Sequence, residues 1–414
     1  MKPEHGTLRE SLRALPRAAW ILYAGTFLNK FGTFVMPFLA IYLTRQGYSM
    51  KDAGIAMSAY GLGHMAAAGL GGHLADVLGR RRTIIFSMLS GACTMLCMSQ
   101  ARRLPAIVGW ASLAGLTTEL YRPASSALLA DLVPAGRRVT AFAAYRLAFN
   151  AGFAFGPATA GLLAEKSFVW LFVGDAITSV LYGTIAWLAL PRDAGRSRVR
   201  PGGLALLSAI RRDGRFVQLL CGVSIVGLVF MQIVSTFSVE VTNQGFSPAT
   251  YGMLISLNGV LVVLFELPIT TVTRRFPVRP TIALGYILIG CGFGLNALAR
   301  SVPVFALAVG TFTLGEMISM PVASAYVADL APAHLRGRYM GAFGLTWAAA
   351  FVTGPTIGLW VFANSHFALW LSCALLGLGA AAIVSLDPQR FNPSTTIRIG
   401  DARAAITRIG NDGL

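Results

Sequence analysis

The sequence predicts an all-α membrane protein of twelve transmembrane helices, arranged as two six-helix bundles related by pseudo-symmetry. Three observations carry that prediction. Of the 414 residues, 55% are hydrophobic and only 12% charged, with a mean hydropathy of +0.64; a soluble domain carries about twice that charged fraction. Apolar runs of about 20 residues, enough to cross a bilayer, recur from Trp20 to Ile383. The third observation is an internal repeat.

Shifting the chain by 198 residues without gaps places Gly54 on Gly252, Ser58 on Ser256, Gly61 on Gly259, Arg81 on Arg279 and Thr83-Ile84 on Thr281-Ile282. The same register continues through Pro123 and Pro321, Ala130-Asp131-Leu132 and Ala328-Asp329-Leu330, Pro134-Ala135 and Pro332-Ala333, Arg138 and Arg336, and Gly156-Pro157 and Gly354-Pro355. One register held over four helices marks two parallel repeats. In order, the expected spans are 17–44, 51–76, 82–101, 105–132, 139–164 and 168–190, then 216–242, 249–273, 280–299, 303–330, 337–362 and 367–386. The first bundle therefore covers 17–190 and the second 216–386, after a polar, basic segment 1–16. Residues 191–215 are basic, contain Gly and Pro and lack apolar periodicity, so they read as a linker. The polar stretch 387–414 reads as a tail.

The net charge of +17 would point to nucleic acid in a soluble chain, but here the charge is sided. Lys2, Arg9, Arg13 and Arg17, Arg80 to Arg82, Arg137, Arg138, the arginines of 192–215, Arg274, Arg275, Arg279, Arg336, Arg338 and those of the tail all fall at one end. The opposite loops hold Arg45, Lys51, Arg102, Arg103, Lys166 and Arg300, and Lys30, Arg122 and Arg146 lie inside spans. By the positive-inside rule both termini are cytoplasmic and the number of spans is even. No cleavable signal peptide is read, and no N-x-Ser/Thr acceptor occurs, which favours a prokaryotic cell (inner) membrane. The five cysteines (Cys93, Cys97, Cys221, Cys291, Cys373) fall in apolar runs with no CxxC pair and read as small packing residues. No GxSxG, HExxH, GxxxxGK or metal-spaced His/Cys cluster occurs. Enzyme chemistry, a metal, a cofactor and nucleic-acid binding are therefore not expected.

The loop after the second span reads Gly72-His-Leu-Ala-Asp76-Val-Leu-Gly79-Arg80-Arg81-Arg82. It resembles the loop between the second and third helices of major facilitator superfamily transporters. Within that superfamily the chain is most similar to twelve-helix, tetracycline-efflux-like drug:proton antiporters. The resemblance rests further on Ala130-Asp131-Leu132-Val133-Pro134 with Arg137-Arg138, and on Gly152-Phe-Ala-Phe-Gly156-Pro157 in the fifth span. It implies a cytoplasmic gate of Gly72, Asp76, Gly79, Arg80, Arg81, Asp131 and Arg138, with Asp76 holding the halves together in the outward-facing state. Val77 departs from the basic residue that usually follows that aspartate. Small residues at four-residue spacing let the fifth helix pack closely and Pro157 bends it; in the family this element goes with antiport.

Charges inside a membrane are costly and therefore functional candidates. The first half holds Lys30, Glu119, Arg122, Arg146 and Asp175; the second holds Glu240, Glu266 and Glu316 with no interior cation. Glu119 and Arg122 are three apart and can pair directly, and Arg122 lies about 13 Å along the helix from Asp131. Glu316 and Glu266 are the leading proton carriers because their own half offers no cation to hold them charged; Glu119 and Asp175 follow. Asp175 could instead pair with Lys30 or Arg146, Glu240 reads as a solvated rim charge, and His64 as a helix contact. Asn29, Lys30, Arg122, Tyr145, Arg146, Asn150, Gln232, Asn258 and Trp347 are expected to line the substrate cavity, with Tyr60 beside them. The expected activity is proton-coupled export of a small amphipathic compound by a monomer in contact with membrane lipid. The alternative is a symporter or uniporter for an anionic metabolite or a lipid-like solute bound by Arg122 and Arg146.

Overall fold

The computed structural model describes residues 15–134, 137–192, 213–273, 275–332 and 335–386. Nearly all of the expected N-terminal segment and linker, and the whole tail, lie outside them. In chain order the helices are α1 (Arg17–Phe31), α2 (Val35–Arg45), α3 (Met50–Val77), α4 (Arg80–Gln100), α5 (Leu104–Glu119), α6 (Tyr121–Leu132), α7 (Arg138–Lys166) and α8 (Val169–Ala189). The second half adds α9 (Gly214–Phe230), α10 (Thr236–Asn243), α11 (Pro248–Thr273), α12 (Val278–Gly294), α13 (Val302–Leu330), α14 (Arg336–Asn364) and α15 (His366–Ser385). The described residues contain no strand.

Among the described residues, ten stretches, α1–α2 and α9–α10 each counted as one, are long and apolar enough to cross a membrane. Two further rods accompany them. α3 has the length, 28 residues, but its run of glycines carries His64, His73, Asp52 and Asp76 and is less apolar. The α5–α6 rod is interrupted at Leu120, which leaves α5 with 16 residues.

The first helix of each half breaks, and at matched places. In the first half α1 stops at Phe31 and α2 begins at Val35. Helix α8 lies against this break: a Cβ at Gly32 would strike Thr178, and one at Gly174 would sit 2.8 Å from the Phe34 ring. Asp175, between those two positions on α8, is buried and forms no ion pair with Lys30 or Arg146 among the described residues. In the second half the chain passes from α9 through a short 3₁₀ turn, Met231–Ile233, into α10. Gln232 holds that turn: its amide donates to Leu228 O at 2.8 Å and Gly354 O at 3.2 Å, and accepts from Thr236 Oγ1 at 3.0 Å. All of its polar atoms are engaged, so this residue, expected to line the cavity, is a structural plug.

The halves meet where α7 packs on α11, α3 on α14 and α2 on α10. Glycines allow the first two contacts to run backbone to backbone. A Cβ at Gly54 would sit 2.9 Å from Thr356 Cα, and one at Gly61 2.8 Å from Phe351 O. The repeat-related contacts are alike: a Cβ at Gly259 would sit 2.5 Å from Ala154 Cα, and one at Gly252 would strike Pro157 O. Repeat-related serines stitch the same seams, Ser58 Oγ to Thr356 Oγ1 at 2.6 Å and Ala158 N–H to Ser256 Oγ at 2.9 Å. Phe38 on α2 crosses Tyr251 edge-on at 5.1 Å and adds to the closure. Further along the same α3–α14 pair, Gly69, Gly72, Gly341 and Gly344 have open space where a Cβ would project. The two bundles are therefore sealed at the end opposite the described termini and parted at the end that carries them.

Gly259→Leu is expected to pry the seal apart. Overpacking against backbone costs about 1–3 kcal/mol, a 5- to 150-fold shift in population. Spin labels at the exposed positions Gln46 and Asn243 would read it as a longer distance; an unchanged distribution in the folded variant would refute the seal.

Candidate functional site

In the first half the charges gather around one carboxylate. Lys30 Nζ, on α1, donates to Glu119 Oε1 at 2.7 Å, and both side chains are buried. Arg122 Nη1 lies 3.9 Å from Glu119 Oε2, with its side chain half exposed. The direct Glu119–Arg122 pair expected from spacing is thus the lesser contact, and Lys30 is the main partner. The aromatic ring of Phe149 lies 5.0 Å from Lys30 Nζ and 5.2 Å from the Arg122 guanidinium. Two cations around one carboxylate, over an aromatic face, leave this half with excess positive charge. Asn29 Nδ2 reaches Met88 Sδ at 3.6 Å, while Asn29 Oδ1, Glu119 Oε2 and Tyr121 Oη are buried without a hydrogen-bond partner. Orphaned buried polar atoms are groups waiting for water or a ligand.

A serine creates this geometry. Inside a helix Tyr121 N–H would donate to Thr117 O; here it donates to Ser87 Oγ at 3.0 Å, and Ser87 Oγ donates to Thr117 O at 2.5 Å. The hydroxyl from α4 is inserted into the helical ladder just before Pro123, which cannot donate and so already weakens that turn. The rod splits into α5 and α6, with Glu119 and Arg122 on either side of the split. In the second repeat the residue matching Ser87 is Gly285, whose missing Cβ lets α12 close on Gly315 and Ser319, and α13 stays continuous through Pro321. Ser87→Ala is expected to lower transport about tenfold, the weight of roughly one hydrogen bond. Equal rates in variant and wild type would remove Ser87 from the site.

In the second half Glu316 accepts from Asn258 Nδ2 at 2.9 Å, and the same amide donates to Thr313 Oγ1 at 2.9 Å. Its hydrogen-bond partner, Asn258, is neutral. Glu266 pairs instead with Arg146 across the seam between α11 and α7, and Arg146 is more than half exposed. Among the described residues this ion pair ties the two halves together beyond the glycine seal. On the other seam, between α3 and α14, His64 stacks on Phe351 at 5.2 Å, and within the second half Trp347 meets Phe230 edge-on at 6.0 Å. Tyr145 is buried and Asn150 half-buried on α7, the helix that carries Arg146. Tyr60 Oη lies 3.2 Å from Thr118 Oγ1.

The structure brings two of the expected gate residues together and sets the others on separate contacts. Arg80 pairs with Asp131 within the first half, and Arg138 Nε donates to Val133 O at 3.3 Å. Arg81 donates to the carbonyls of Ala186 and Trp187 at the end of α8; its repeat mate Arg279 does the same to Leu386 O at the end of α15. These two arginines cap helix C-termini, where the dipole favours a cation. Gly79 starts α4 at φ 94°, a backbone conformation that favours glycine. Asp76 and Gly72 lie on the parted stretch of α3, Asp76 exposed and Gly72 with no neighbour at its Cβ position. In the fifth-helix motif, Gly152 and Gly156 pack on the α1 backbone at Phe27 and Phe31, and Pro157 meets Gly252.

Glu240 departs furthest from its sequence reading. Expected at a solvated rim, it is buried, accepts from Trp370 Nε1 at 3.0 Å and Gln244 Nε2 at 2.8 Å, and lies 3.6 Å from His366 Nδ1. It anchors α10 to the start of α15. Gln244 comes from the next turn, but Trp370 comes from 130 residues away along the chain, which no local pattern signals.

The comparisons agree with this architecture. The family described as "Major Facilitator Superfamily" matches residues 20–244 and 233–409. The MFS-type transporter YqjV of Bacillus subtilis is 27% identical over 352 residues, 83% of this chain and 85% of that protein. The multidrug resistance protein MdtH of Aeromonas salmonicida is 25% identical over 372 residues, 88% of this chain and 93% of its own. A Na(+), Li(+), K(+)/H(+) antiporter of Planococcus maritimus is 24% identical, covering 80% of this chain and 85% of its own. Among solved structures, the nucleoside transporter NupG superposes with a TM-score of 0.74 at 16% identity, covering 90% of this chain and 100% of that one. A POT family transporter in complex with a thioalcohol-conjugated peptide gives 0.75 at 15% identity, over 90% and 97%. A repeated, membrane-spanning helical fold with charges buried inside its bundles, matched along almost its whole length, places this chain in the major facilitator superfamily.

Proposed function

We propose that the protein is a proton-coupled secondary active transporter of the cell (inner) membrane, with twelve spans and both termini cytoplasmic. It exports small amphipathic or drug-like compounds by alternating access, as a monomer that exchanges protons for substrate. The observation that carries this reading is the division of buried charge between the two halves. Lys30 and Arg122 outnumber Glu119 in one, and Glu316, hydrogen-bonded to the neutral Asn258, stands in the other. The Arg146–Glu266 pair must break when the bundles rock, which makes it the natural link between charge and motion. Binding near mid-membrane at the interface of the repeats is the general arrangement for such carriers. Relatives named for multidrug resistance and for cation/proton antiport support the reading.

The test is transport of a permanently charged lipophilic dye in liposomes under an imposed pH gradient. Exchange moves the dye toward the acidic side, against the proton flow, and a protonophore stops it. Dye movement indifferent to the gradient would sink the proposal. A second reading has its own observation: the half-exposed Arg122 over Phe149 would suit an anionic metabolite or lipid-like solute. Such a symporter would carry an aromatic carboxylate toward the alkaline side, and a uniporter would ignore the gradient.

A further inference from the structure

A cavity lies at the sealed end of the first half, away from the Lys30–Glu119–Arg122 cluster. It measures about 360 Å³ and is lined by Arg45, Arg102, Lys166, Glu165, Tyr42 and Phe168, with Val169 at its edge. Those residues come from four separate places: the end of α2, the α4–α5 connection, the end of α7 and the start of α8. Only six basic residues occur in all the loops on this side of the sequence map, and three of them converge here. None of the three forms an ion pair among the described residues, and Glu165 is the one acid in the lining. The cavity is built rather than incidental. The Arg45 guanidinium lies 5.4 Å from the centre of the Phe168 ring, Tyr42 packs edge-on against Phe172 at 5.2 Å, and the Tyr48 hydroxyl donates to Arg102 O at 2.7 Å.

Three converging cations repel one another, and one carboxylate cannot offset them; an anion with several acceptor oxygens can. Phosphate meets that need, because guanidinium groups bind its oxygens in a bidentate manner. Next to the cavity, Val169 and Trp170 are each about half exposed on the outer face of α8, where an acyl chain would run beneath a headgroup and where tryptophan favours the membrane interface. We propose that this cavity binds a phosphate-bearing anion, either the headgroup of an anionic phospholipid or free phosphate. It is a site separate from the substrate cleft and does not depend on what the cleft transports.

The experiment is thermal unfolding of the purified full chain, titrated in parallel with phosphatidylglycerol, phosphatidylcholine and inorganic phosphate, for wild type and for Arg45→Gln/Arg102→Gln/Lys166→Gln. Phosphatidylglycerol is expected to stabilise wild type far better than phosphatidylcholine. Its apparent affinity should fall about 100-fold in the triple variant, roughly fivefold for each cation removed. Stabilisation by inorganic phosphate alone, lost in the same variant, would assign the site to the free ion. Arg45→Gln supplies the readout should the triple variant fail to fold, and Arg300→Gln, in an outer loop of the other half, should bind as wild type does. Equal response to both lipids with none to phosphate, or a folded variant that binds like wild type, would overturn the proposal.

Discussion

Glu316→Gln is expected to abolish gradient-driven transport while leaving the protein folded. The amide keeps an acceptor oxygen for Asn258 Nδ2, so the 2.9 Å contact survives and packing changes little. What is lost is the capacity to bind and release a proton. One pH unit is worth 1.36 kcal/mol per proton exchanged, enough to sustain about a tenfold dye gradient. In the variant that gradient should collapse to about onefold. Glu266→Gln should also lower coupled transport, but for a different reason: it releases Arg146 and weakens the tie between the halves. Measuring dye accumulation and counterflow side by side separates the two, because counterflow needs rocking but no net proton movement. Glu316→Gln should retain counterflow. A Glu316→Gln protein that still accumulates dye against its gradient would remove Glu316 from the coupling step.

Lys30→Met is expected to give the largest loss of stability. Lys30 and Glu119 are both nearly inaccessible, and removing one member of a buried pair leaves the other charge without its main partner. Such a loss costs about 3–5 kcal/mol, whereas replacing both members by neutral groups is often close to neutral. Arg122, at 3.9 Å, offers Glu119 only a distant substitute. Lys30→Met/Glu119→Gln should therefore recover most of the stability lost in Lys30→Met, read as the midpoint of thermal unfolding in a fixed detergent. If the single and double variants unfold together, the pair contributes nothing as a pair, and the fold tolerates a lone carboxylate there.

The architecture was legible in the chain because its causes are local or periodic. Apolar runs of membrane length, glycines at four-residue spacing and one unbroken repeat register specify helices, close seams and paired bundles without reference to distant contacts. Gly54 on Gly252 and Gly61 on Gly259 in the alignment become the two glycine seams in space. The candidate charges were legible as well, since a charge inside an apolar run stands out.

Which charge meets which was decided only by the tertiary structure. Spacing along one helix put Arg122 nearest Glu119, yet Lys30 from another helix holds it at 2.7 Å. A rule of exposed span ends made Glu240 a rim charge, yet a tryptophan 130 residues on buries and bonds it. Asp175 turned from an ion-pair candidate into a buried carboxylate beside the break of the first helix, and Ser87, unremarked in the chain, splits the rod that carries Glu119 and Arg122. The physical reason is common to all four. Sequence periodicity fixes the face on which a side chain lies, but its partner depends on which helix packs against that face and at what height. That is set by the seams and breaks of the assembled bundle, and sequence spacing does not encode it.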